Sequence, residues 1–440
     1  MADMEKSVLP SGWGQCSLAD VAQLQNGFAF KSGDYVEWGH FLIRIGNVQD
    51  DGIDLSKPAY VDLADVKAKK FELNEGDILM SLTGNIGRVA VIKKEHLPAA
   101  LNQRVARISP KHGDSLNREF LIHLLRSPAF FDQLTAAAKG AAQQNISGKD
   151  VLAAVISLPP LAEQTRIANK LDELLAQVDT IKARVDAIPD ILKRFRQSVL
   201  AAAVSGKLTG SDYSKWINSK LGDVVEIDIG HAFKSKEFVS EGVPLLRGQN
   251  IEPGALRWLD TKCYPDAKLR EFRHLFIEEG DIILAMDRPI VSAGLKLARA
   301  RATDLPCVLV QRVARFKSFD AITPNYLYLV LQDISFSNYL VPNQTGSDIP
   351  HISGKQILGY EIAYPSLTEQ KEIVHQATGL LQICSQLELA VEEARSKVEE
   401  MTQSILAKAF RGELVTQSTD DEAASVFLKR TGTKKTTTEE

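Results

Sequence analysis

The sequence predicts a mixed α/β protein (α+β within each globule) with two globular regions and two long helices, in the order globule, helix, globule, helix. Three observations predict it. The second half of the chain re-reads the first. The second part of each repeat carries an unbroken heptad pattern of apolar residues. The first part of each repeat carries short strand-like runs bounded by Gly and Asp. At 440 residues the chain is also too long for one ordinary core.

The repeat sets the frame. "GFAFKS" at 27–32 returns as "GHAFKS" at 230–235, and "LIRIGNV" at 42–48 as "LLRGQNI" at 245–251. "EGDILMS" at 75–81 returns as "EGDIILA" at 279–285, QRVAR at 103–107 as QRVAR at 311–315, and "NISGKDVL" at 145–152 as "HISGKQIL" at 351–358. The offset drifts between 203 and 208 over these segments, then stays at 206 through "LPPLAEQ" and "YPSLTEQ" to "QSVLAAAVSGKL" and "QSILAKAFRGEL". Drift marks insertions and deletions. A constant offset marks a part whose length is fixed.

The globules come first in each repeat, at 1–158 and 209–364. "FLIRIGNV", "GDILMSL", "GRVAVI" and "GDIILAM" read as strands, and "REFLIHLLRSPAFFDQLTAAA" and "PNYLYLVLQDISFSNYL" as amphipathic helices. The fixed-length parts, 159–208 and 365–415, are helical spacers. In the first, Ile167, Leu171, Leu174, Val178, Ile181, Val185, Ile188, Leu192, Phe195, Val199 and Ala202 follow a 4,3,4,3 spacing, and the second keeps the same register. Pro159 and Pro160 mark the first helix start, a Ser366/Glu369 capping box the second, and Gly206 and Gly412 the ends. Pro189 interrupts the first helix, where a kink is expected because the seam continues in phase. Some 46 residues at about 1.5 Å each give a helix of roughly 65–70 Å. Burial of each large apolar side chain is worth about 1.5–3 kcal/mol, so the seams must be covered, most simply by each other in an antiparallel coiled coil with pseudo-twofold symmetry. Residues 416–440, ending "TGTKKTTTEE", are expected to be a disordered tail.

Composition excludes several classes. No apolar run reaches the roughly 18 residues of a membrane span. The N-terminus lacks the apolar core of a signal peptide. Cys16, Cys263, Cys307 and Cys384 are scattered and read as reduced thiols of a cytosolic protein. No GxxxxGK[ST], HExxH, CxxC or [ND]PP[FYW] motif occurs, and the histidines form no ligand-spaced cluster. Catalytic and metal sites are therefore not expected.

The helical segments "ISGKD…LPPLAEQ…KLD", "LKRFRQSVLAAAVSGKLT", "YPSLTEQ" and "QSILAKAFRGEL", in this order of globules and helices, resemble the specificity subunit of a type I restriction–modification enzyme (HsdS). The resemblance covers about residues 8–416. It implies a non-catalytic bacterial or archaeal cytoplasmic subunit whose two globules are target recognition domains. Each would bind one half of an asymmetric, two-part site on double-stranded DNA. It implies two methyltransferase (modification) subunits as partners and, through them, two restriction (translocase and endonuclease) subunits. No cofactor is implied in this chain; S-adenosylmethionine, ATP and Mg2+ would serve the partners. The tail is shorter and less basic than the resemblance leads one to expect of the longest relatives. The alternatives are a coiled-coil adaptor that binds only protein, and the recognition part of a fused methyltransferase or nuclease.

Candidate DNA contacts follow from the repeat. Arg and Gln suit base edges or phosphates, which nominates Gln103, Arg104, Gln311 and Arg312. Because QRVAR is the same in two globules that should read different half-sites, phosphate positioning or a structural role fits better than base reading. Lys31 and Lys234 in "AFKS", and Lys149 and Lys355 in "ISGK", fit phosphate contacts or solvated lysines equally well. A Ser-Gly-Lys turn can grip phosphate through backbone amides or simply turn the chain. The loops 83–88 and 286–294 occupy matching places with different sequences, as do 139–145 and 343–351. Different loops at matching places are where different half-sites would be read, which nominates Asn85, Arg88, Gln143, Gln144, Arg288 and Ser347. Residues 1–160 hold 17 Lys and Arg against 18 Asp and Glu, and 207–366 hold 19 against 19. Any DNA face must therefore be a segregated patch.

Overall fold

A computed structural model describes residues 9–50, 52–64, 66–112, 115–138, 145–343 and 350–430. The chain forms two compact units, Met1–Asp186 with Glu393–Glu440, and Ala187–Glu392. The long helices, Leu161–Val204 and Leu367–Phe410, each give one end to each unit. The first globule is thus completed by the C-terminal end of the chain.

In the first unit a four-stranded antiparallel sheet contains β1 (Ala22–Asn26), β2 (Ile78–Ser81), β3 (Val89–Val91) and β4 (Val105–Pro110), in the order β3-β2-β4-β1. The second unit repeats it with β5 (Glu226–Ile229), β6 (Ile282–Ala285), β7 (Leu297–Arg299) and β8 (Val313–Lys317), in the order β7-β6-β8-β5. The register repeats as well: Arg107 stands opposite Leu79 and Gln25, and Arg315 opposite Ile283 and Asp228. In both sheets the inner positions of the second strand are fully buried, as the run of apolar residues in "DILMS" and "DIILA" requires. A short two-stranded ribbon joins the start of each globule to its end, Gly14–Ser17 with Val155–Leu158 and Ile217–Lys220 with Glu361–Tyr364.

The helix pairing is antiparallel within each unit. In the first, Asp186 pairs with Arg395 at 2.9 Å, and Leu171 shares a core with Ala409. In the second, Arg196 pairs with Glu388 at 3.1 Å, and Ala203 shares a core with Ala377. Gly206 and Gly412 end the helices with φ of +73° and +75°. The first helix continues unbroken through Pro189.

Two expectations need correction. The seam is covered on one side only. Leu171, Val178, Leu192 and Val199 are buried, as are Ala377, Cys384, Val391 and Val398 at intervals of seven, whereas Ile181, Phe195, Leu387 and Met401 stand exposed. Two paired helices shield one row of the heptad and leave its flank in solvent. The tail is also not without structure from 416. Ala424–Arg430 is a helix that packs Ala424 and Leu428 against the strand Gly14–Ser17, and the Ala424 N–H donates to the Gly12 carbonyl at 2.9 Å. Its apolar residues were masked by the polar residues around them. Residues 431–440 lie outside the described part.

The Ser366 capping box is made only on one arm. The Glu369 N–H donates to Ser366 Oγ at 3.4 Å, but Glu369 Oε1 is buried without a partner.

Candidate nucleic-acid interface

Each unit brings described nominated residues to one edge, through chain crossings that repeat bond for bond. Gly27 crosses Asn102 so closely that a Cβ would stand 2.1 Å from the Asn102 carbonyl oxygen; at Gly230 it would stand 2.4 Å from the backbone of Leu309. Only glycine allows this approach. The Gln103 N–H then donates to the Phe28 carbonyl, and the Gln311 N–H to the His231 carbonyl, both at 2.9 Å. The Leu82 N–H donates to the Arg104 carbonyl at 3.1 Å, and the Met286 N–H to the Arg312 carbonyl at 2.9 Å. The Ile146 N–H donates to the Leu82 carbonyl at 3.0 Å, and the Ile352 N–H to the Met286 carbonyl at 2.9 Å. Bridges join Thr83 to Asn145 and Asp287 to His351. These bonds survive although the sequence offsets between their members differ.

On the first edge stand Lys31, Asn85, Gln103, Arg104 and Lys149, all exposed. On the second stand Lys234, Arg288, Gln311, Arg312 and Lys355, also exposed. Arg104 makes no ion pair among the described residues. Arg312, held at φ of +65°, lies 3.8 Å from the Asp287 carboxylate. Thr83 occupies the place of Asp287 in the first unit, so the two edges carry different local fields. Arg88 is partly buried, hydrogen-bonded to Gln49 and 3.9 Å from Asp50. Arg288 has φ of +43°, and its N–H donates to the Pro350 carbonyl at 2.7 Å. Gln143, Gln144 and Ser347 lie outside the described residues.

The Ser-Gly-Lys turns are helix caps. The Ser147 N–H donates to Asp150 at 2.8 Å and the Asp150 N–H to Ser147 Oγ at 3.2 Å, and Ser353 with Gln356 repeats the arrangement. Those amides are spent within the turn, and the Asp150 carboxylate adds a negative charge beside it. The side chains of Lys149 and Lys355 stand exposed beside these turns.

The two arginines of QRVAR divide the work. The first sits on the turn at the edge; the second lies under the sheet. Arg107 reaches Asp77 at 2.8 Å and also hydrogen-bonds Gln25 and the Glu72 carbonyl. Arg315 reaches Asp228 at 2.6 Å, Asp281 at 3.3 Å and the carbonyls of Phe276 and His274. Burial alone would lower the Arg315 pKa, but the Asp228 hydrogen bond and the charges of Asp281 and Asp228 outweigh it and raise it. The other repeated pair is also internal. Asn47 and Asn250 are buried, accept from the backbone of Arg44 and Arg247, and donate to the carbonyls of Asp54 and Arg257.

Sequence reasoning missed Gln164 and Gln370. Gln164 Nε2 donates to the carbonyls of Ser115 and Pro159 at 3.1 and 3.0 Å, and its Oε1 accepts from the Asn117 N–H at 2.8 Å. Gln370 Nε2 donates to the carbonyls of Ala321 and Pro365 at 2.9 and 3.0 Å, and its Oε1 accepts from the Thr323 N–H at 2.8 Å. The signal was present as the identical "EQ" after each proline segment.

No helix among the described residues is long and apolar enough to cross a membrane, and no metal-ligand cluster occurs among them. The sequence matches the family described as type I restriction modification DNA specificity domain over residues 10–189 and 213–393. It is 31% identical to the specificity subunit of the type I restriction enzyme EcoKI of Escherichia coli strain K12, over 94% of this chain and 92% of that protein. It is 29% identical to the EcoBI specificity subunit of Escherichia coli, over 92% and 87%. A solved chain from structural work on complex assembly and conformational transition of the type I R-M system superposes with a TM-score of 0.71 at 22% identity, over 92% of this chain and 99% of that one. With its specificity-domain match falling once on each globule and together spanning most of the sequence, the chain belongs to the type I restriction–modification specificity subunit family.

Proposed function

We propose that this chain is the DNA sequence-specificity subunit of a type I restriction–modification complex. It binds double-stranded DNA at an asymmetric two-part site, one half-site per unit. The observation that carries this reading is the edge built twice by the same backbone bonds but furnished with different loops. A common frame with variable loops is what two readers of different half-sites require. Lys31, Arg104 and Lys149, and Lys234, Arg312 and Lys355, take phosphates. Gln103 and Gln311, in the shared QRVAR, join them in positioning the DNA backbone, while Asn85 and Arg88 in the first unit and Arg288 in the second are the candidate base readers, with Gln143, Gln144 and Ser347 of the segments 139–145 and 343–351. Arg88 must leave Gln49 to reach a base.

The chain itself carries no catalysis. It scaffolds two methyltransferase subunits, which use S-adenosylmethionine, and through them two ATP- and Mg2+-dependent restriction subunits, in the cytoplasm of its host. Exposed Ile181 and Met401 in the first unit, and exposed Phe195 and Leu387 in the second, supply apolar surface for such assembly.

A band-shift on random-sequence duplex, with and without a modification subunit, tests the reading, followed by methylome sequencing of a host expressing the system. A single two-part motif with adenines methylated in both halves is the expected result. Absence of any DNA shift with the modification subunit present, and no new methylation, would leave the protein-only adaptor.

A further inference from the structure

The same three side-chain bonds stand at the base of each unit, and nothing in the DNA edge uses them. Gln164 is 1% exposed and Gln370 0%. Each sits in the first turn of its long helix, and each spends its whole amide on backbone groups. Two bonds tie it to the segment that starts the globule's packed helix, Arg118–Leu125 or Pro324–Gln332. The third ties it to the proline that precedes the long helix. Asn117 and Thr323, whose N–H groups donate to these glutamines, are themselves the N-caps of those packed helices, accepting from Phe120 and Tyr326. One amide therefore joins two helix N-termini and fixes the angle between them.

All four positions in each set are related by the constant offset of 206, from Ser115 and Ala321 through Gln164 and Gln370. The fixed-length part of the repeat therefore reaches back into the globule as far as this joint. The surrounding globule differs between copies, and the joint does not. A buried amide with all three bonds made is directional, whereas the apolar contacts around it are not. Replacing it with an apolar side chain of the same length leaves three backbone groups to find new partners and lets the angle drift.

We infer that Gln164 and Gln370 are positioning residues that set how each recognition globule stands on its own helix, and thereby hold the complex to one gap length between half-sites. The inference rests on the two-part DNA reading above. One base pair adds about 3.4 Å to the separation of the half-sites. A globule that tilts on its helix by a few degrees moves its DNA edge by a comparable distance, so a loosened joint admits neighbouring gap lengths. Base preference within each half-site belongs to the edge loops and is untouched.

The test uses the chain assembled with its modification subunits. Methylation rates are measured on duplexes with fixed half-sites and the gap varied by one base pair either way, for wild type, Gln164→Met, Gln370→Met and Gln164→Glu. The Met variants are expected to lose about tenfold in discrimination between the native gap and its neighbours, with unchanged base preference. Gln164→Glu, which keeps only the acceptor for the Asn117 N–H, is expected to lose discrimination too. Unchanged gap discrimination in the Met variants overturns the inference, whatever their stability. So does failure of both Gln164 variants to assemble, because the residue would then be a folding determinant alone. If wild type itself shows no gap preference, the two-part reading fails instead.

Discussion

The guanidinium of Arg107 stands 2.8 Å from the carboxylate of Asp77, and both side chains are four-fifths shielded from solvent. The pair joins β4 to the residue that precedes β2, and Arg315 with Asp281 repeats it at 3.3 Å. Three residues earlier, Arg104 points into solvent from the turn. One repeated pentapeptide thus contains a structural arginine and an available one.

That division predicts opposite phenotypes. Arg107→Ala strands a shielded carboxylate and should cost about 2–3 kcal/mol of stability. Arg104→Ala should leave stability within about 0.5 kcal/mol. It should weaken DNA binding for all sequences alike and reduce the slope of log affinity against log salt by about 0.9, one phosphate contact. Denaturant unfolding and a salt-series band-shift check both. A stability loss in Arg104→Ala, or no loss in Arg107→Ala, would reverse the assignment.

The same logic extends to the loops. Replacing the first globule with that of a relative should change one half of the methylated motif and leave the other intact, because Leu82, Arg104 and Ile146 close the first edge entirely within the first unit. Methylome sequencing reads the outcome. A change in both halves contradicts separate half-site readers.

The tail helix predicts an asymmetry between the units. Leu428 covers Gly14 in the first unit, whereas Ile217, the repeat equivalent of Gly14, is 58% exposed in the second. Arg166 further ties the tail through Asp421 at 2.6 Å. Removing residues 416–440 should speed amide exchange in 14–17 and 155–158 and leave 217–220 and 361–364 as they were. Equal change in both ribbons, or in neither, would show that the tail does not brace the first unit.

Glu163 predicts a pH dependence. Its carboxyl is buried beside Trp13, whose indole N–H donates to it at 3.0 Å, and burial raises its pKa despite that bond and the nearby Arg166 charge. Below the unfolded pKa of about 4.3 both states hold the proton and the group contributes no slope. Between that value and the higher folded pKa the native state binds more protons, so stability falls as pH rises, then levels off. Glu163→Gln keeps an acceptor for Trp13 without the titration. Its stability relative to wild type should therefore rise with pH from about 4 and reach a plateau. A relative stability that falls over this range would mean the carboxylate is favoured in the fold.

Much of this architecture was legible in the sequence because a repeat is its own alignment. "GFAFKS" against "GHAFKS" located the crossing glycines, and the constant 206 offset located the helices. The partner of Arg107 was not legible, since Asp77 lies 30 residues away and only the strand register brings it near. Gln164 was hidden for a similar reason: its partners are backbone atoms of Ser115, Asn117 and Pro159, which carry no side-chain signature. The short helix Ala424–Arg430 was hidden by composition, since its few apolar residues are surrounded by Thr, Lys and Glu. The half-covered seam follows from geometry that periodicity alone does not contain, because a heptad pattern does not say how many partners share it.

Helix length as the ruler between half-sites is the last prediction. The first long helix passes from one unit into the other between Asp186 and Ala187, and its pairing with the second helix is antiparallel on both sides of that point. Four residues inserted after Arg184 add about 6 Å, one turn, and rotate the following residues by only about 40°, so the apolar row nearly keeps its face. Asp186 would shift past Arg395, an exposed pair worth little, whereas Leu192 and Val199 would move four residues against a row spaced at seven and so meet the flanking apolar positions of the heptad, such as Leu387, on the second helix. The inserted chain should therefore still pair, with its two globules further apart along the DNA. Methylation should move to sites whose gap is longer by about one or two base pairs, with both half-site sequences unchanged. Adding the Gln164→Met substitution to this variant should broaden the new gap rather than restore the old one, since the joint sets the angle and the helix the distance. Methylation that persists only at the original gap would place the ruler in the partner subunits instead.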